Sequence, residues 1–446
     1  MTLLSICLGF FMTILDITIV NIALPNLKNS FSEGITGLQW IIDAYTLTFS
    51  SFLLVAGYFA DFFGAKRVFL WGVASFALIS LLCGSVTSIE FLIFFRLLQG
   101  IAAALIVPSS LALISAVYVE KGQVAKAIGI WAGVGGVAAS SGIILGALLI
   151  SFFGWRSIFL INLPVGIATF ALALKCIPHL LQKRLAQPAF DWTGQGIGLV
   201  ATASLAYALI ESGKSGIQWT QIWIAFLIFV LGLLLYIKTE NKKKHPMIPL
   251  KMFKNGPFSI PVFIGMALNI SFYGILFILP LYLTGIIHDS VLKAGLTLLP
   301  LTIWSIFFSY LSGKITSKIG PKIPMLIGLL IASAGYLSLL ALTGEQPPYF
   351  LSLLQLSLIC IGHSVTLPAA TASVIHAAPM EESGVAASVL NLSRQIGSLI
   401  GVALFGTIIS RSATFVAGMH HAFLIAAAVL LCGAFFTSRL SSPKTH

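Results

Sequence analysis

The chain has 446 residues, of which 58% are hydrophobic and only 9% charged, with a mean hydropathy of +1.03 and a formal net charge of +12. A water-soluble core of this size cannot enclose so much apolar surface, so the composition excludes a soluble globular protein and predicts an integral membrane protein. The positive charge needs no nucleic-acid partner, because basic loops beside a bilayer account for it.

A membrane-crossing helix takes about 20 apolar residues, and about fourteen such runs follow one another from near Ile14 to near Leu430. An even number puts both termini on one side. Lys66, Arg67, Lys126, Lys183, Arg184, Lys242, Lys244, Lys314, Lys318, Lys322, Arg439 and Lys444 gather in loops and tail on that side, against Lys28, Arg156, Lys214, Lys293 and Arg411 on the other. This asymmetry predicts cytoplasmic termini. No basic segment or small-residue cleavage site precedes the first run, so the first helix is expected to be retained. The five cysteines stand singly, with no CxxC pair and no His at ligand spacing, and neither a disulfide framework nor a metal site is expected.

The first run contains Leu15 to Pro25 and, within it, Asp16 among Ile, Leu and Val. An ionised side chain at that depth costs about 2.5–3.5 kcal/mol, which marks it as a functional candidate that faces a bundle interior or a wet path. Asp43 follows in the second run after Gln39 and Trp40, and Arg96 opens the fourth. Desolvation penalises a buried carboxylate's charge and a nearby guanidinium restores it, so Asp16 held by Arg96, with Asp43 as a second acid, has the makings of a proton-coupling site.

Between the second and third runs, Gly57 to Arg67 reads as a tight cytoplasmic turn in which Gly57 and Gly64 permit close backbone approach and Asp61, Lys66 and Arg67 can hold neighbouring helix ends. Gly313, Gly320 and Lys322 repeat Gly57, Gly64 and Lys66 at one offset, and Pro368 matches Pro108, so the chain carries an internal repeat. In the fifth run Gly129 with Gly133, and Gly142 with Gly146, have the spacing that lets two membrane helices approach closely. The organisation expected is a six-helix bundle at 1–177, linkers at 178–254 flanking two inserted spans at about 194–237, and a second six-helix bundle with a short tail at 255–446.

These motifs carry a resemblance. Gly57 to Arg67 resembles the cytoplasmic signature of the major facilitator superfamily, and Leu15 to Pro25 resembles the first-helix motif of its fourteen-helix drug:proton antiporter branch. Arg96-Leu97-Leu98-Gln99-Gly100 is similar to that branch's fourth-helix motif, Trp155 to Gly166 to its segment entering helix 6, and Arg394-Gln395-Ile396-Gly397 to its thirteenth-helix motif. The resemblance implies an all-α polytopic fold of two six-helix bundles plus two central helices. It also implies export of amphipathic organic compounds in exchange for protons, by alternating access, in a prokaryotic plasma membrane. One departure bears on coupling: where the family's helix 5 has Pro after the glycine matching Gly142 and Gly after the one matching Gly146, this chain has Ile143 and Ala147. The altered helix leaves open a symporter or a dedicated metabolite exporter; a transport-inactive receptor is a further alternative, one that would not need Asp16 and Arg96 together.

Substrate contacts in such a fold fall near the bilayer midplane, where Asn21, Trp40, Tyr45, Gln99, Trp131, Asn269, Tyr273 and Tyr282 are polar or aromatic candidates for an amphipathic ligand. No phosphate-binding loop of the Walker type occurs, so the proton gradient is the expected energy source, with no cofactor and no catalytic residue. A monomer is expected.

Overall fold

The computed structural model describes residues 1–118, 120–178, 191–214, 216–243, 250–342, 348–379 and 382–440. The linker residues 179–190 and 244–249 and the tail 441–446, with Lys183, Arg184, Lys244 and Lys444, lie outside the described residues. Among the described residues every regular element is a helix, and 13 helical runs are long and apolar enough to cross a membrane. One run, Ile35–Ser85, has 51 residues, where the sequence pattern separates a second and a third span.

That run has internal structure. Helix α2 (Ile35–Phe59), which follows α1 (Thr2–Phe31), leads through a single π-helical stretch at Ala60–Gly64 into α3 (Ala65–Ser85). Gly64 has φ 97°, a conformation open to glycine and strained for any other residue, so the helix breaks there and not at Gly57. A Cβ at Gly57 would meet nothing within 4 Å, so the close approach expected of that glycine is absent.

Two compact units divide the chain. The first holds Met1–Gln195 with Ser290–Leu296; the second holds Gly196–Asp289 and Thr297–His446. In the first, α4 (Ile89–Val117) packs against both α2 and α3, α5 (Lys121–Phe153) against α1, and α7 (Asn162–Cys176), entered through the short α6 (Ser157–Leu160), against α3. Phe10, Met12, Phe49, Phe69, Phe76 and Ile106 fill the core among them.

The second unit repeats the pairing. It contains α8 (Trp192–Glu211) from Gly196 onward, α9 (Trp219–Lys242), α10 (Gly256–Gly285), the last two residues of α11 (Val291–Leu298), whose first six belong to the first unit, and then α12 (Pro300–Ile303), α13 (Ser305–Ile319), α14 (Lys322–Leu342), α15 (Tyr349–Ala377), α16 (Ser383–Arg411) and α17 (Phe415–Ser438). Here α13 and α14 pack on α15 as α2 and α3 do on α4, α16 lies on α10 as α5 does on α1, and α17 lies on α14 as α7 does on α3. The repeat extends to single bonds. Lys66 Nζ donates to the Leu174 and Ile177 carbonyls at the end of α7, at 3.1 and 2.5 Å, and Lys322 Nζ donates to the Leu440 carbonyl just past α17. Gly320 has φ 81° beside Gly64's 97°. Each lysine thus satisfies carbonyls that a helix end leaves without partners.

The inserted pair α8–α9 belongs with the second unit through α16. Thr407 Oγ1 donates to the Leu209 carbonyl at 2.7 Å, and Arg411 Nε to the Ser212 carbonyl at 2.8 Å.

Candidate functional site

Asp16 and Arg96, 80 residues apart in sequence, form an ion pair inside the first unit with side chains 0% and 1% exposed. Local helix geometry brings them together. Arg96 and Gln99 are three residues apart and share one face of α4. Gly100 on the next position lets that helix press against α2, since a Cβ there would collide with Thr48 Oγ1 and the Tyr45 carbonyl. Thr48 Oγ1 closes the contact by donating to the Leu97 carbonyl at 2.7 Å.

The pair is enclosed by further donors and acceptors. Asp16 Oδ2 accepts from Arg96, while Oδ1 accepts from Gln99 Nε2 and from Asn162 Nδ2, each at 3.1 Å. Arg96 also donates to Gln99 Oε1 at 2.9 Å and, through Nε, to the Ile41 carbonyl at 3.2 Å, and its guanidinium lies 4.3 Å from the centre of the Tyr45 ring. Asn162 is itself oriented by Ser80 Oγ at 3.0 Å, and Ser80 donates to the Phe159 carbonyl at 2.9 Å. A buried ion pair repays its desolvation only when such additional hydrogen bonds satisfy its remaining atoms, and this one meets that condition. Both oxygens of the Asp16 carboxylate thus have donors.

Asp43, two residues beyond the Ile41 carbonyl that Arg96 contacts, is the opposite case. It is 0% exposed and neither carboxylate oxygen has a hydrogen-bond partner. An unpaired buried carboxyl is costly, which sets Asp43 apart from the fully answered Asp16.

The sequence singles out Asp16, Arg96 and Asp43 but not Asn162. Its signal was present: it is a lone amide in the apolar stretch Trp155 to Gly166. Of the substrate candidates, Gln99 and Tyr45 belong to the Asp16 cage. Trp131 lies against Phe10 with ring centres 3.8 Å apart and donates to Ser110 Oγ at 3.1 Å. Asn21 is buried and donates to the Ile17 carbonyl at 2.7 Å, whereas Trp40 is half-buried and Tyr282 fully buried. Asn269 and Tyr273 share α10 in the second unit and are taken up below.

The fifth-helix glycines divide. Gly142 abuts Thr18 and the Leu15 carbonyl, and a Cβ at Gly146 would stand 2.8 Å from Ile19, so these two set α5 closely on α1 beside Asp16. Gly129 and Gly133 face open space, with nothing within 4 Å of a Cβ at either, and the close approach read from their spacing does not occur. Ile143 and Ala147, the departures from the family motif, are buried at 0% and 1%. In α16, Gly397 and Gly401 press on the Met266 and Ile270 carbonyls of α10, the same helix-on-helix contact in the second unit.

Comparison with known proteins agrees with this architecture. The chain is 36% identical over 423 residues to the methylenomycin A resistance protein of Bacillus subtilis, spanning 95% of this chain and 90% of the relative. It is 34% identical over 412 residues to the multidrug resistance protein Stp of Mycobacterium tuberculosis, spanning 92% and 76%. Among solved structures, that of the D-xylose-proton symporter superposes with a TM-score of 0.72 over 99% of this chain and 98% of the other, at 14% identity, a likeness of fold alone. The family profile described as Major Facilitator Superfamily matches residues 6–402. With its paired helical units and a profile match over most of its length, the chain belongs to the major facilitator superfamily of membrane transporters and is not an enzyme.

Proposed function

We propose that this protein exports amphipathic organic compounds across a prokaryotic plasma membrane in exchange for protons, by alternating access and as a monomer without a cofactor. The observation that carries the reading is the buried Asp16–Arg96 pair with Asp43 buried and unpaired nearby. The drug-resistance relatives support the class of cargo. The 51-residue run is read as two spans divided at Gly64, which makes fourteen with both termini cytoplasmic, in keeping with the basic loops.

In this reading Asp43 is a second proton carrier and Asp16 is the switch. Protonating Asp16 removes the charge that holds Arg96, and the hydrogen bonds from Gln99 and Asn162 lose much of their strength with it. A proton thus favours one arrangement of α1, α4 and α7 and its loss favours the other, which is the differential interaction a coupled conformational change requires. Gly142, Gly146 and the buried Ile143 and Ala147 give α5 the surface on which α1 moves. Lys66, clamped on the end of α7, makes the Gly57 to Arg67 segment a latch for one state.

The test is fluorescent-dye accumulation in a pump-deficient host expressing the protein, with and without a protonophore. Lowered accumulation that the protonophore abolishes supports the reading; accumulation equal to that of the empty host contradicts it.

A further inference from the structure

The second unit holds a half-buried mid-helix cation that no acid among the described residues answers. Arg394 lies near the middle of α16, and its stem runs along α10 so closely that a Cβ at Gly265 would stand 3.1 Å from its Cγ. Its Nε is buried and has no hydrogen-bond partner. Tyr273 sits mid-helix on α10 and His363 mid-helix on α15, and both of these helices pack against α16 and against each other. The His363 ring sits 4.9 Å from that of Phe272, and its Nε2 is likewise buried without a partner. Asn269, one turn before Tyr273, donates to Ser398 Oγ at 3.0 Å and leaves its Oδ1 unanswered.

No acid among the described residues of that unit is placed to neutralise Arg394. Glu211 ends α8, Glu240 lies in the last turn of α9 and pairs with Lys243, Asp289 follows α10, and Glu382 precedes α16. All four stand at helix ends, while Arg394, His363 and Tyr273 stand mid-helix. A guanidinium in the interior of a membrane protein pairs with another group or marks a substrate path. Its planar fork suits a carboxylate, with the imidazole and phenol as neighbouring donors and the Phe272 ring as an apolar wall.

We infer that Arg394, His363 and Tyr273 form an anion-accepting subsite, and that the compounds this protein carries bear a carboxylate beside an apolar or aromatic body. The inference rests on the export reading for the word cargo, but the subsite itself is tested by binding. The purified full-length protein in lipid nanodiscs is titrated with three probes of one shape: naphthoate, naphthamide and naphthylmethylammonium. Naphthoate is expected to bind about tenfold or more tightly than the other two, the scale of one buried charge-assisted contact. Arg394→Gln should erase that preference, Arg394→Lys should keep part of it, and Tyr273→Phe should weaken naphthoate alone. Thermal unfolding and monodispersity confirm that each variant is folded, and if Arg394→Gln does not fold, Arg394→Lys and Tyr273→Phe decide. Equal binding of the three probes, no binding of naphthoate, or an unchanged preference in the folded variants overturns the subsite. Naphthoate selectivity in a protein that fails to lower dye accumulation would sink the export reading and leave the subsite standing.

Discussion

The two units treat a charge inside a membrane protein in opposite ways, Asp16 and Arg96 fully buried and Arg394 half-buried. Around Asp16, an arginine, a glutamine and an asparagine from α4 and α7 converge on one carboxylate, and the arginine is held in turn by a backbone carbonyl and an aromatic face. Around Arg394, an imidazole and a phenol on the adjoining helices accompany a guanidinium whose Nε has no partner. The same helix pairing supports both, α1 on α5 and α10 on α16. Shared architecture therefore does not dictate shared electrostatics: one unit answers its own charge, and the other leaves it for something that arrives.

The comparison can be broken by substitution. Arg96→Ala leaves Asp16 buried and unpaired, and thermal unfolding of the purified protein should show a loss of about 3–5 kcal/mol. Adding Asp16→Asn to that variant should recover part of the loss, because the stranded charge is gone; a double variant no more stable than Arg96→Ala would mean the pair is not coupled. Asn162→Ala removes one hydrogen bond to the ionised carboxylate and is expected to cost about 1.5–3 kcal/mol in the same assay. Gly142→Ala drives a methyl into Thr18 and should cost about 1–3 kcal/mol. Arg394→Gln, by contrast, removes an unanswered cation and should lose no stability, and a loss as large as that of Arg96→Ala would erase the distinction between the units. At the small end, Gly129→Ala faces open space and should stay within about 0.5 kcal/mol of the parent or gain slightly from helix propensity.

Much of this was legible in the residues, for reasons that also explain the remainder. An acid and a base in apolar runs must find each other or water, which is why Asp16 and Arg96 could be paired before any geometry was known. Asn162 could not, because a neutral amide is cheap enough to sit in many places and its contact spans 146 residues. Gly129 and Gly142 show what spacing can and cannot say. Both begin a four-residue glycine step, yet only Gly142 meets α1, since spacing reports a shared helix face and not the neighbour that covers it. The tight turn expected at Gly57 to Arg67 is instead helical throughout, and the one break in it falls at Gly64 because the positive φ, invisible in the sequence, is there. His363 escaped notice as a single histidine in an apolar run; only Phe272 beside it and Arg394 on the adjoining α16 give it a role.

The central claim is that Asp16 couples proton movement to transport. It is tested most directly in proteoliposomes by comparing gradient-driven dye uptake with gradient-free dye exchange, for the parent protein and for Asp16→Asn. The account predicts that Asp16→Asn loses the response to an imposed pH gradient and retains exchange; gradient-driven uptake at the parental rate in that variant would contradict it.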